Sequence, residues 1–209
     1  MSYKYSYYLI IFFAVCAVIG FVWGKLDRKI KGIKGEKRVS NVLNKLNKNK
    51  YRVLNDVLIR VKDKTVQIDH IVVSVYGIFV IETKNYAGNI YGDGYKDKWT
   101  QYLGREKNSF QNPLRQNYGH YKTIENLLNL SDESLLKPVV AFAGTAKLKI
   151  SNANNVVYLK NLYNYITYYT EEVIDINTVD RYCEILTQSN IESISENRQH
   201  VQRIRENLK

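Results

Sequence analysis

The sequence predicts a mixed α/β or α+β domain, a mixed central sheet flanked by helices, preceded by one N-terminal transmembrane helix. Three observations support this: a charge-free apolar run opens the chain, strand-length segments rich in Val and Ile follow, and apolar residues recur at helical spacing around them. A chain of 209 residues is long enough for one ordinary domain with appendages. We expect four parts, which are 1–24 (transmembrane anchor), 25–34 (basic juxtamembrane segment), 35–145 (domain core) and 146–209 (a strand and helices completing the domain).

The charge balance is strongly basic, with 31 Lys and Arg against 20 Asp and Glu. Since Lys4 is the only one of these residues in the first 24, nearly all of the excess belongs to the rest of the chain. Such an excess favours polyanionic partners, either nucleic acid or anionic lipid headgroups, and charge alone does not choose between them. Neither Cys16 nor Cys183 has a metal-ligand spacing, which indicates two reduced thiols.

The first element is the charge-free run Tyr5–Gly24, which is 20 residues long. A helix of that length spans about 30 Å, the thickness of a hydrocarbon core. Tyrosines at one end and Trp23 at the other match interfacial aromatic belts. A cleaved signal peptide is the alternative, but only Lys4 supplies its basic start and no small-residue cleavage pattern follows. We therefore expect an anchor.

Cationic residues crowd the C-terminal side of the run, and they are Lys25, Arg28, Lys29, Lys31 and Lys34. Because positive flanks stay inside, the sequence predicts a single-pass protein of the cell membrane with its soluble domain in the cytoplasm. The same cluster can lie against anionic headgroups, which accounts for part of the basic balance without nucleic acid.

The domain core begins with a predicted helix that Glu36 opens, whose buried face is Val39, Val42, Leu43 and Leu46. Three extended segments then predict an antiparallel meander, and they cover 51–61, 66–74 and 78–84. A short pair around 90–91 and 99–103 extends it, with glycines marking the turns.

A second helix is predicted from Asn112-Pro113, an N-cap followed by proline at the first helical position, to about Leu130. Two further strands are expected at 138–142 and 156–159. Two or three helices finish the chain, one with an inner face of Val179, Tyr182, Cys183 and Leu186.

Acidic residues interrupt the strands of the sequence VQIDHIVVSVYGIFVIETK, residues 66–84. Alternation along a strand puts Gln67, Asp69, Ile71 and Val73 on one face of the first strand, and Ile78, Val80, Glu82 and Lys84 on one face of the second. A two-residue turn at Tyr76-Gly77 pairs Ile71 with Glu82 and Asp69 with Lys84. Asp69, Glu82 and Lys84 then converge on one patch.

Two neighbouring carboxylates repel, and their desolvation is costly unless a cation compensates them. Few hard oxygen ligands suit magnesium or manganese better than zinc. Lys84 can hold the attacking water or stabilise charge on a phosphate, and Glu36 can add a contact to the metal. The alternative is an ion pair of Asp69 and Lys84 across a hairpin, with Glu82 at a solvated strand end. The residues alone leave both open.

Gly35-Glu36, the run QIDHIVVSVYGIFVIETKNYAGNIYG, Trp99 and the segment QNPLRQNYGHYKTIENLL at 111–128 together resemble the nuclease-related domain, or NERD, family. NERD domains are similar to the PD-(D/E)XK nucleases, which implies a restriction-endonuclease-like fold and a phosphodiesterase site requiring Mg or Mn. The resemblance implies catalytic roles for Asp69, Glu82, Lys84 and Glu36. The three acids of this set, Asp69, Glu82 and Glu36, are the implied metal ligands. Ile68 departs from the superfamily's proline.

Gln116 and His120 lie four residues apart, on one face of the predicted second helix. The resemblance implies a role for this helix beside the site, and we expect substrate contacts from Gln67, Gln116, His120 and Arg115. The alternative is that these polar residues only cap the helix and form its solvated face. Five basic residues could line a nucleic-acid path, and they are Lys98, Arg105, Lys107, Arg115 and Lys122.

Together these expectations describe a membrane-anchored, metal-dependent nuclease that hydrolyses phosphodiester bonds of DNA or RNA at the cytoplasmic face. The alternative is a module on the same fold that binds nucleic acid or protein without turnover. A protein that uses its charge only on lipid would leave the arrangement of Asp69, Glu82 and Lys84 unexplained.

Overall fold

A computed structural model describes residues 2–191, and the remainder of the predicted C-terminal segment, 192–209, lies outside the described residues. The helices are α1 (Ser2–Leu43), α2 (Pro113–Leu128), α3 (Leu159–Thr167) and α4 (Ile176–Ser189), with a 3-10 turn at Glu133–Leu135. The strands are β1 (Tyr51–Val61), β2 (Lys64–Ser74), β3 (Gly77–Lys84), β4 (Asn89–Asp93), β5 (Lys98–Leu103), β6 (Glu106–Gln111), β7 (Leu136–Phe142), β8 (Lys147–Ser151) and β9 (Val156–Tyr158).

The strands form two sheets, and the larger has the order β1-β2-β3-β7-β9. Its first three strands are an antiparallel meander, whereas β7 runs parallel to both β3 and β9. The parallel step needs a crossover, which α2 supplies on the way from the second sheet to β7. The prediction of a mixed sheet flanked by helices is confirmed.

Helices cover both faces of the larger sheet. On one face, α2 and α4 contribute Ile124 and Val179 to a core that includes Ile71 and Val80 of the sheet. On the other face, α1 and α3 pack with sheet residues, and the buried members include Val39, Leu43, Phe79, Ile81, Leu162 and Ile166. Residues 78–81 are fully buried because both of their faces are covered, which explains their continuous apolar run.

The second sheet, with the order β6-β5-β4-β8, was not predicted as a separate unit. The sequence indicated only its middle pair, as an extension of the meander. Both outer strands were missed, and β6 (EKNSFQ) lacks the apolar alternation that would have revealed it. The sheet instead packs Ile90 and Trp99 on Val140 and Phe142 of β7, which makes a third core.

The first helix is continuous from Ser2 to Leu43, so the prediction of a helix opening at Glu36 is wrong. Gly35 does not interrupt it. A Cβ at that position would lie 2.7 Å from the Cβ of Asn85, so the glycine lets the helix approach the end of β3. Asn85 is held there by accepting from Arg38 at 2.7 Å. Glu36 is thereby brought to the carboxyl end of the sheet strand β3.

None of the helices in the described part of the chain is long and apolar enough to cross a membrane. The predicted transmembrane anchor therefore gains no support from the structure. Its residues belong to the first half of α1, where the apolar side chains of Phe13 and Trp23 are 67% and 68% exposed.

The hairpin between β2 and β3 turns one residue earlier than predicted. Ser74 pairs with Gly77, so Val75 and Tyr76 form the turn. Gly77 has a φ of +122°, and a Cβ there would lie 2.8 Å from the Leu135 carbonyl oxygen, which explains the glycine. Because the turn still contains two residues, the register shifts by two and the faces are preserved. Ile71 pairs with Val80 instead of Glu82.

Candidate active site

The centre of the candidate site is the E-x-K sequence at the end of β3. Glu82 is only 2% exposed, although it is an acid within a sheet. Lys84 Nζ donates to Glu82 Oε1 at 2.6 Å, and the two side chains lie on the same face of the strand because they are two residues apart. Glu82 therefore forms a buried ion pair with Lys84. The alternative interpretation had placed Glu82 at a solvated strand end.

Helix α2 brings two polar side chains to this pair. Lys84 Nζ also donates to Gln116 Oε1 at 3.0 Å, and His120 Nε2 lies 3.1 Å from Glu82 Oε2. One helical turn separates Gln116 from His120, so a single helix face contacts both residues of the E-x-K. The predicted shared face of Gln116 and His120 is thus present, and it is directed at Glu82 and Lys84.

The start of α2 is fixed by Asn112, as its N-cap pattern predicted. Its Oδ1 accepts from the backbone N–H of Leu114, and Pro113 occupies the first helical position. Its Nδ2 donates to three carbonyls of the β4–β5 loop, on Asp93, Gly94 and Lys96. The cap therefore ties the helix to the second sheet as well.

Asn117 is a functional residue that sequence reasoning missed. It is fully buried, and its Nδ2 donates to the Val80 carbonyl at 2.9 Å and to the Val139 carbonyl at 3.0 Å. It thereby fastens α2 to both central strands. A polar residue on the inner face of α2, between Pro113 and Ile124, is the signal that could have revealed it.

Asp69 lies on β2. Its neighbour His70 pairs with Ile81 on β3, so the next position of this antiparallel register places Asp69 opposite Glu82. Its Oδ2 accepts from the backbone N–H of Thr83 at 2.7 Å. Burial and the nearby charges of Glu82 and Glu36 raise the pKa of Asp69 to about 7, despite the favourable hydrogen bond from Thr83. The charge of Lys84 lowers this pKa but does not outweigh burial and the two neighbouring carboxylates.

Glu82 behaves in the opposite way. Burial on its own would raise its pKa, but the hydrogen bond from His120, together with the charge and hydrogen bond of Lys84, holds the pKa below its ordinary value. The two adjacent carboxyl groups therefore differ in their affinity for a proton. Glu82 keeps its negative charge, whereas Asp69 binds a proton more readily.

Glu36 and Asp56 enlarge the acidic cluster. Burial, Asp56 and Glu82 raise the pKa of Glu36, in that order, so α1 brings a third carboxylate to the site as predicted. No pattern around Asp56 singles it out in the sequence. It has a left-handed φ of +52°, and its carboxylate accepts from the Gln67 side chain.

The predicted shared face of Gln67 and Asp69 is wrong for Gln67. Ile68 and Ile71 both pack into the core that α2 and α4 cover. In a regular strand, residues three positions apart would point to opposite faces. The alternation therefore breaks at Asp69 and His70, beside Asp56 on the paired strand. Gln67 is left exposed and contacts Asp56 rather than Glu82 or Lys84.

Arg115 also lies apart from the carboxylates. Its guanidinium pairs with Asp97 at 2.8 Å and donates to the Tyr95 carbonyl at 3.0 Å, so it contacts the loop between β4 and β5. Of the four residues predicted to contact substrate, the structure brings Gln116 and His120 to the E-x-K and leaves Gln67 and Arg115 at its periphery.

The chemistry of these donors fits a hard divalent cation. No group of three His, Cys, Asp or Glu side chains among the described residues forms a ready-made metal cage. Magnesium, however, is usually bound through one or two carboxylates and completes its coordination with waters and phosphate. Asp69 and Glu82 supply that number, and burial beside Glu82 raises the pKa of Asp69, which is the cost that a bound cation would offset.

Comparisons with known proteins identify the family of the chain. Residues 31–143 match the family model of the nuclease-related domain, a segment that contains Glu36, Asp69, the E-x-K and the whole of α2. An uncharacterised protein of Bacillus anthracis is 36% identical over 197 residues, which is 92% of each of the two chains. The chain therefore belongs to the NERD, or nuclease-related domain, family.

Proposed function

We propose that this protein is a metal-dependent nuclease that hydrolyses phosphodiester bonds of DNA or RNA. The observation that carries the proposal is the buried carboxylate of Glu82 with the partly buried Asp69 on the paired strand and Lys84 Nζ 2.6 Å from Glu82. Two acids and a lysine on the neighbouring inner strands β2 and β3 are costly to bury, and structural stability gives no reason to keep them there.

The divalent cation is proposed to be Mg²⁺ or Mn²⁺, held by Asp69 and Glu82 with Glu36 close enough to contribute. When bound, the cation supplies positive charge at the scissile phosphate and lowers the pKa of the attacking water. Asp69 would hold the cation in its ionised form, which its pKa of about 7 makes accessible near neutrality.

Lys84 is the proposed catalytic cation of the chain. Its Nζ has one bond to Glu82 and one to Gln116, which leaves a third donor of the ammonium group for the attacking water or a phosphate oxygen. A preorganised cation at developing negative charge lowers the barrier for attack.

Gln116 and His120 are proposed to position these groups. Gln116 accepts from Lys84 and His120 contacts Glu82, so each fixes one member of the E-x-K from α2. Asn117 and the Asn112 cap keep this helix in place. The polar face of α2 thus sets the orientation of the E-x-K rather than merely covering it.

A cleavage assay tests this function directly. Purified full-length protein is incubated with plasmid, single-stranded DNA and RNA in Mg²⁺, in Mn²⁺ or in EDTA. We expect cleavage of at least one substrate in Mg²⁺ or Mn²⁺ and none in EDTA. Cleavage that is equally fast in EDTA, or that persists in Asp69→Asn, would refute a metal-dependent mechanism.

A second candidate is a non-catalytic binding module on the same fold. The observation in its favour is that both oxygens of Glu82 already have partners, Lys84 at 2.6 Å and His120 at 3.1 Å, so a metal has to displace or share them. Under this candidate function, we expect the protein to bind nucleic acid or protein without turnover. Binding of nucleic acid that neither requires nor responds to Mg²⁺, with no cleavage of any substrate, would favour it.

The location at the cell membrane stays a prediction from the sequence alone. It rests on the charge-free run 5–24 and the cationic residues after it, with the domain on the cytoplasmic side. Fractionation tests it, since full-length protein in the membrane fraction after a high-salt wash supports an inserted segment and protein in the soluble fraction contradicts it.

A further inference from the structure

The second sheet presents one surface that the proposed chemistry leaves unused. Alternate residues on its four strands face outward, and they include the tyrosines Tyr91 and Tyr102 and the lysines Lys98, Lys107, Lys147 and Lys149. We name these six residues the Tyr–Lys face. All six are exposed, and the two rings are 41% and 37% exposed.

The opposite face of the same sheet explains why these residues point outward. Ile90 and Trp99 are fully buried against β7, with Phe110 and Leu148 packed beside them. Side chains alternate along strands, so the neighbours of these residues in sequence must face away from that core. The Tyr–Lys face is therefore fixed by the packing of the sheet.

Contacts within the face hold its cationic groups in place. Lys149 Nζ donates to the Tyr91 hydroxyl at 2.7 Å and lies 4.7 Å from the centre of that ring. Tyr91 and Tyr102 meet edge to face with their centres 5.5 Å apart, and Lys107 Nζ lies 6.0 Å from the centre of the Tyr102 ring. Such ammonium–ring contacts order the long side chains without neutralising their charge.

No acid compensates the four lysines. Within the described part of the chain, none of the four forms an ion pair. The acid nearest in register, Asp93, has its carboxylate engaged by Ser151 and Asn152 at 2.7 Å each. Four uncompensated cations beside two half-exposed rings complement a polyanion with aromatic groups, which is a single strand of nucleic acid.

Short chain connections join the sheet that carries this face to the elements of the proposed active site. Strand β4 starts at Asn89, five residues after Lys84, which limits the separation of their Cα atoms to about 17 Å. At the other end of the sheet, β6 leads through Asn112 directly into α2 and Gln116. The sheet that carries the face is thus joined by short connections to both β3 and α2, the two elements that hold Glu82, Lys84 and Gln116.

We propose that the Tyr–Lys face is a docking surface for single-stranded nucleic acid, which its lysines hold by the phosphates and its tyrosines by the bases. The inference rests on the proposed function for its substrate class and goes beyond it in assigning the place where that substrate binds.

Binding of fluorescent single-stranded DNA and RNA to full-length protein tests it, measured by anisotropy in EDTA across a range of salt. The parent is Asp69→Asn, which removes cleavage from the measurement. In that parent, we expect the quadruple change of Lys98, Lys107, Lys147 and Lys149 to Gln to lower the slope of log affinity against log salt by about 3. Affinity near 0.1 M salt should fall on the order of 100-fold. Changing Tyr91 and Tyr102 to Leu should cost about tenfold with an unchanged slope.

A matched control changes four exposed lysines elsewhere to Gln, and they are Lys45, Lys48, Lys62 and Lys64. Thermal unfolding verifies that all variants fold. The inference is overturned if the two quadruple variants lose affinity equally, if the parent binds no nucleic acid, or if the Tyr–Lys variant loses binding only to vesicles of anionic lipid. If binding behaves as expected but the wild type cleaves nothing in Mg²⁺ or Mn²⁺, only the nuclease function fails.

Discussion

At the scale of single residues, Asp69 and Lys84 have distinct roles that metal binding separates. Asp69 offers a charged oxygen ligand, so Asp69→Asn should weaken binding of Mg²⁺ or Mn²⁺. Lys84 offers no ligand and repels the cation, so Lys84→Ala should leave metal affinity unchanged or slightly increased. Isothermal titration of each folded variant with Mn²⁺ measures both effects.

The outcome that would contradict this assignment is the reverse order, with metal affinity lost in Lys84→Ala and retained in Asp69→Asn. Glu125→Gln provides a control, because Glu125 pairs with Lys122 on α2 and has no contact with the E-x-K. Its metal affinity should match that of the wild type.

Asp69 also predicts a pH dependence of stability in the absence of metal. Its pKa is about 7 in the folded protein and about 3.9 in an unfolded chain, so the folded state binds the proton more tightly. Stability is therefore lost as the pH rises from about 4 through about 7. Asp69→Asn avoids this loss, and in EDTA we expect it to exceed the wild type by on the order of 2 to 4 kcal/mol at pH 8.

Urea denaturation at pH 8 and at pH 4 measures this difference, which should nearly vanish at the lower pH. Asp63→Asn, in the exposed turn between β1 and β2, controls for the general effect of removing an acid. Equal stability of Asp69→Asn and wild type at pH 8 would show that Asp69 is not under this strain.

At the scale of elements, α2 depends on Asn117 for its position on the sheet. Asn117→Ala removes the donor to two buried carbonyls, on Val80 and Val139, so we expect a loss of about 2 to 3 kcal/mol in the free energy of unfolding. Cleavage should fall too, because the same helix holds Gln116 and His120. Asn126→Ala, an exposed position on α2, should change stability by less than about 0.5 kcal/mol.

Chemical denaturation of both variants supplies the comparison. A stability of Asn117→Ala within error of Asn126→Ala would show that the two hydrogen bonds do not fasten the helix, and would remove the proposed reason for a buried amide on this face.

Elements with strong local signals were predictable from the sequence. The meander and the cap of α2 follow from runs of Val and Ile and from Asn112-Pro113, and the structure has both. The turn of the β2–β3 hairpin was misplaced, and a separate helix was wrongly predicted to open at Glu36, because tertiary packing decides both features. Gly77 fits under the Leu135 carbonyl and Gly35 fits against Asn85, and neither neighbour is visible in the local sequence.

The same limit applies to the candidate site. Asp69, Glu82 and Lys84 could be grouped because they are close in sequence and their faces follow from alternation. Asp56 could not be grouped with them from the sequence. It has a left-handed φ, and the alternation of the paired strand breaks beside it. The positions of Gln67 and Arg115 apart from the E-x-K could not be predicted, because their partners, Asp56 and Asp97, belong to other segments.

At the scale of the whole molecule, the domain should fold without its first 24 residues. Among the side chains of α1 that the structure describes, the first buried one is Val39, whereas Trp23 and Ile30 are exposed. Protein comprising 25–209 should therefore show one cooperative thermal transition by circular dichroism. Deleting residues 1–40 should destabilise it by several kcal/mol, since that deletion also removes Val39 from the core. An unfolded 25–209 would contradict this division.

The central claim is that Lys84, held between Glu82 and Gln116, is the catalytic cation of a metal-dependent nuclease. Single-turnover cleavage by full-length wild type and Lys84→Ala, at saturating Mg²⁺ or Mn²⁺ and with the same substrate, tests it most directly. Lys48→Ala, an exposed lysine far along the chain, is the matched control. The account predicts a rate lower by about 10² to 10³ in Lys84→Ala and unchanged in the control. Wild-type cleavage by Lys84→Ala would contradict it.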